Sequence, residues 1–60
     1  MGYRVRLVIP IAEIGTESER NTEAQSRILH AQLRGLLIRA EKDLDRGVVT
    51  YSWEEPVLGG

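Results

Sequence analysis

Sixty residues make one domain at most, and a chain this short buries only about 60% of the surface its unfolded form exposes, so association is the expected source of additional core. Cysteine is absent and histidine occurs once, which excludes a disulfide framework, thiolate chemistry and the clustered ligands of a structural zinc site. Eight basic and nine acidic residues give a formal charge of −1, without the global basic signature of a nucleic-acid or anionic-membrane binder.

At the N-terminus Tyr3, Val5, Leu7, Ile9 and Ile11 alternate with Arg4, Arg6, Val8 and Pro10, the period of a strand with two distinct faces. Arg4 and Arg6 belong to the face turned to solvent or a partner. Pro10 has no backbone donor, so the strand lies at a sheet edge there or ends. Arg4 and Arg6 also interrupt the apolar start, and no stretch approaches the ~20 apolar residues of a spanning helix. The expectation is a soluble cytoplasmic protein with no membrane role. Ala12 to Asn21, with Gly15 and several polar residues, reads as a connection.

From about Thr22 to Asp45 apolar residues recur at helical spacing with no proline between them, which predicts a long helix of roughly 35 Å at ~1.5 Å per residue. Thr22 and Gln25 have capping-box spacing, as do Thr16 and Glu19, and Gly47 after Arg46 is the expected terminator. Leu29, Leu33, Leu36, Leu37, Ala40 and Leu44 make one stripe, assigned here to the chain's own core. Ala24, Ile28, Ala31, Gly35 and Ile38 make a second stripe, nearly opposite. Its small residues would let another backbone approach closely, so Ile28, Ala31, Gly35 and Ile38 are the candidate partner interface.

After Gly47, Val48 to Trp53 is rich in β-branched and aromatic residues and predicts a second strand, with Val49, Tyr51 and Trp53 on the inward face. Glu54, Glu55 and Pro56 then stop or bend the chain, making 54–60 a flexible tail. Strand, long helix and strand build an α/β fold: a small β-α-β unit with one long amphipathic helix, two parallel strands, and a sheet completed by intersubunit packing. Residues 1–60 thus read as a single oligomerisation or protein-interaction domain.

Little in the chain points to catalysis. His30 lies on a polar flank near Arg27 and Arg34, without an acidic partner close in sequence, and reads as a solvated histidine. Glu13, Glu17, Glu19 and Glu23 match neither an EF-hand nor a paired-carboxylate spacing, and no glycine run forms a phosphate loop. No cofactor and no metal are expected, and the function is read as non-enzymatic. The first reading is a homo-oligomer, a dimer above all, or a module for a different protein partner, in an accessory, regulatory or structural role. The second is a small dimeric nucleic-acid binder that uses Arg4, Arg6, Arg34 and Arg39 on phosphates, against which the acidic balance argues.

A third reading concerns the end of the chain. Gly59 and Gly60, preceded by a strand and a helix, resemble pieces of the ubiquitin-like sulfur-carrier and modifier families. The resemblance implies a C-terminal diglycine activated for acyl or thiol transfer. It covers those final residues and a coarse β-α element; a hairpin before the helix is lacking, and the chain after it is too short for the usual remaining sheet.

Overall fold

The computed structural model describes residues 2–57, and the diglycine at Gly59 and Gly60 lies outside them. Strand β1 runs over Gly2–Pro10, followed by a 3₁₀ turn at Ile11–Glu13, helix α1 over Glu19–Leu33, β2 over Arg39–Asp43 and β3 over Val48–Pro56. The sheet is three-stranded in the order β1-β3-β2, with β3 antiparallel to both neighbours. The β-α-β unit is therefore split: β1 and β2 run in the same direction, and β3 occupies the space between them. The two strands expected from sequence, β1 and β3, are thus neighbours but antiparallel, which corrects the expected parallel pair, and β2 is a third strand that falls within the stretch expected to be helical.

The helix is shorter than its periodicity suggested, and both ends explain why. Ser18 is the N-cap, its hydroxyl accepting the N–H of Asn21 at 3.2 Å. At the other end Gly35 has φ +75, its N–H reaches the carbonyl of Gln32 at 3.0 Å, and Leu36 N–H reaches that of Ala31 at 3.0 Å. This pair of bonds is a Schellman motif, completed by Leu36 packing on the core beside Ala31. Gly35 thus ends the helix. Gly47, the expected terminator, instead sits at φ +69 in the turn that joins β2 to β3, where Asp43 accepts the Arg46 N–H.

The chain's own core uses the stripe that sequence had turned outward. Ala31 is fully buried with Val5 and Trp53, and Ile28, Leu36, Ile38, Leu7 and Tyr51 pack around them. A small residue at Ala31 lets the helix approach Trp53, and the inward stripe is accordingly Asn21, Ala24, Ile28 and Ala31. Leu29, Leu33, Leu37 and Leu44, assigned to the core from sequence, are exposed by 56%, 79%, 86% and 76%. Glu54–Pro56, placed in the tail, continue β3, where Glu55 opposes Tyr3.

Candidate interaction edge

β1 is an outer strand, and the direction of its backbone groups follows from one bond. Ile11 donates its N–H to Gly47 at the β3 side at 2.8 Å. Because backbone direction alternates along a strand, the odd residues of β1 face β3 and the even ones, Gly2, Arg4, Arg6, Val8 and Pro10, turn N–H and C=O to the open edge. Pro10 therefore falls where its missing donor breaks no bond within the sheet. The edge offers the N–H groups of Gly2, Arg4, Arg6 and Val8.

Charge lines this edge on both sides. Side chains of the even residues project from the sheet face that carries no helix, so Arg4 and Arg6 border the edge there. The helix makes its principal approach to the sheet on β1. Between them runs a groove of about 270 Å³ lined by Leu7, Val8, Arg20, Glu23, Ala24 and Arg27. Arg20, Arg27 and Arg34 recur every seventh residue, two helical turns, and so share one flank of α1 and its cap. Among the described residues, Arg6, Arg20 and Arg27 have no carboxylate within ion-pair distance, whereas Arg4 lies 4.0 Å from Glu54 and Arg34 lies 4.0 Å from Glu55.

A polar cluster lies on the helix side of the sheet at the start of β1. The Tyr3 hydroxyl donates to Glu55 Oε2 at 2.7 Å, while Arg34 approaches Oε1. That hydrogen bond holds the Glu55 carboxyl below its ordinary range against the opposing effect of burial, with Trp53, Arg34 and His30 acting in the same direction as Tyr3. The same bond, with the negative charge of Glu55, raises the Tyr3 phenol, and Arg27 and Arg34 pull weakly the other way. Trp53 Nε1 is buried and meets no well-aligned acceptor, so its effect on Glu55 is one of proximity. His30 lies in a neighbouring cleft with Ser26, Arg27, Arg34, Trp53 and Glu55. Glu55 is its nearest acidic neighbour there, one the linear sequence did not reveal.

The structure divides the residues singled out from sequence. Ala31 is inside the protomer, Ile28 and Ile38 pack on the same core, and Gly35 is a helix terminator with open space where a side chain would be. Those four residues do not form one exposed helix stripe, because the helix ends before Gly35. Arg4, Arg6 and Arg39 share the open sheet face, with Arg6 and Arg39 on either side of Ser52. Arg34 sits on the opposite face, against Glu55. Glu54, Glu41 and Asp43 share the open face with the three arginines, so this face is mixed in sign.

Sequence reasoning missed Arg20 and Arg27 as edge residues, although their seven-residue spacing to Arg34 was the available signal. Among the described residues no cluster of His, Asp or Glu has the arrangement of a metal site, and no helix is long and apolar enough to cross a membrane. No family model, curated protein or solved structure matches the chain.

Proposed function

We propose that this chain is a non-enzymatic protein-interaction module, in a cytoplasmic accessory or regulatory role, whose binding element is the free edge of β1. The observation that carries this reading is the outward-facing backbone of a nine-residue strand that, among the described residues, has no neighbouring strand on that side. An unpaired row of N–H and C=O groups is a template for another strand, and a thin core of one helix on three strands gains from the extra layer. Completion of the sheet by another chain is thus the function itself.

Homodimerisation through this edge meets an obstacle in its own side chains. Antiparallel self-pairing in the registers that use Gly2 to Val8 places Arg4 or Arg6 against an arginine of the copy, and later registers run into Pro10. Like charges directly opposite are destabilising. A different protein is therefore the better-supported partner, and a dimer, if it forms, would use the exposed helix leucines.

The test is amide NMR of the labelled chain across its own concentration series and on addition of a neutral, strand-forming peptide. Shifts and slowed exchange at the N–H groups of Arg4, Arg6 and Val8 are the expected result with the peptide. Edge amides that stay unmoved by millimolar peptide and by self-concentration would overturn the edge reading. Solution mass from light scattering over the same series reports self-association separately.

Nucleic-acid binding is the second reading, favoured by Arg4, Arg6 and Arg39 sharing one open sheet face. Glu41, Asp43 and Glu54 on that face offset their charge. A labelled oligonucleotide at low salt discriminates: tight binding that falls steeply with salt supports this reading, and no binding removes it.

A further inference from the structure

We infer that the occupant of the β1 edge is an acidic, extended segment of another protein, added as a strand and held by arginines on both faces of the sheet. This rests on the edge-module reading above and names the partner's chemistry. A strand added beside β1 would send alternate side chains to opposite faces. Those on the open face come beside Arg4 and Arg6; those on the helix face enter the groove lined by Arg20 and Arg27.

Three arginines at this edge, Arg6, Arg20 and Arg27, have no ion-pair partner among the described residues, although the open face as a whole is mixed in sign. Glu23 is the one carboxylate lining the groove, against two arginines, and Arg6 on the other face has no carboxylate within 4.0 Å among the described residues. Acidic side chains at consecutive positions of the incoming strand reach both faces, one parity meeting Arg6 and the other Arg20 and Arg27, and opposite charges across a strand pair are favourable. The same arginines repel a second copy of β1 and any basic strand, so they select the partner as well as attract it. Pro10 closes the ladder at one end, which sets the segment's paired length by the span Gly2 to Val8.

The probe is a set of three strand-length peptides with one threonine frame, carrying glutamate, glutamine or lysine at pairs of consecutive positions so that one of each pair faces each side of the sheet, titrated into the intact labelled chain. The glutamate peptide is expected to shift and protect the amides of Arg4, Arg6 and Val8. It should bind about tenfold more tightly than the glutamine peptide at low salt, with that ratio collapsing in about 1 M salt, where the Debye length shrinks to about 3 Å. A double variant, Arg6→Glu with Arg27→Glu, changes two exposed side chains outside any ion pair among the described residues and should transfer the preference to the lysine peptide. Equal binding of all three peptides at the edge overturns the acidic partner and leaves the edge module standing. Failure of all three to move the edge amides removes the module reading itself, and movement only at other residues overturns the placement.

Discussion

Tyr3 and Glu55 are register partners across β1 and β3, and the phenol donates to the carboxylate at 2.7 Å on the helix side of the sheet. One hydrogen bond therefore moves two titrations apart, lowering Glu55 and raising Tyr3. A carboxyl depressed on folding contributes stability above its unfolded pKa that is lost as pH falls through the folded value. A phenol raised on folding contributes stability below its unfolded pKa that is lost as pH rises through the folded value. Both ends of the pH range should thus weaken the fold through this one pair.

Tyr3→Phe separates that contribution from the rest. The variant should show a shallower loss of stability in acid and a smaller loss in alkali, measured as the urea midpoint against pH. Both groups are partly solvated, so the change in absolute stability should be small. Identical pH profiles for the variant and the parent would mean the pair is not formed in solution.

Much of the fold was legible because strand periodicity survives in β1 and β3: Val5, Ile9, Val49 and Trp53 are buried at alternating positions, as their pattern requires. β2 was hidden because Arg39–Asp43 carries no β-branched or aromatic residue, and its strand form is imposed by pairing with β3. Leu36, Leu37, Ala40 and Leu44 happened to continue the helical period beyond its stop. Gly35 was the decisive residue and was read as a packing contact, since a glycine between two apolar runs has the same sequence signature as one at a helix end. Edge polarity was partly legible through Pro10. The two-sided arginine border was not, because it joins a strand to a helix flank that only the tertiary fold brings together.

Gly35 provides the sharpest check on that corrected boundary. Its positive φ is costly for a side chain by roughly 1–2 kcal/mol, while the space around it is open, so strain and crowding are separable. Gly35→Ala should destabilise by about that amount, and Gly35→Asn by less, because asparagine tolerates the left-handed region. Neither should alter solution mass. A neutral Gly35→Ala, read from thermal unfolding, would restore the continuous helix.

The exposed leucines on α1 make an independent prediction. Leu29 and Leu33 lie one turn apart on the solvent side, so Leu29→Gln and Leu33→Gln should each change stability by no more than about 0.5 kcal/mol. Were they core residues, as sequence alone suggested, polar replacement would unfold so small a domain. Chemical denaturation distinguishes these outcomes directly. A change in solution mass without a change in protomer stability would locate a self-association surface on this side of the helix.

Asn21 is the buried polar residue on which the β1-to-α1 connection turns. It is 1% exposed, its Nδ2 donates to the carbonyls of Glu13 and Thr16, and its own backbone N–H meets the Ser18 cap. Asn21→Ala removes both side-chain donors. Glu13 keeps the N–H and hydroxyl of Thr16 on its carbonyl, at 3.1 and 2.7 Å, but the Thr16 carbonyl loses its side-chain donor. The expected cost is about 1–3 kcal/mol, a large fraction of the roughly 3–9 kcal/mol that ~0.05–0.15 kcal/mol per residue implies for this length. Asn21→Asp should be worse at neutral pH, since an ionised carboxylate has no donor for either carbonyl and is costly to bury. Protonation would restore one donor, so the aspartate variant's deficit relative to the parent should narrow in acid. Urea midpoints for both variants at two pH values test this order: an alanine variant as stable as the parent would assign the connection to the Ser18 cap alone.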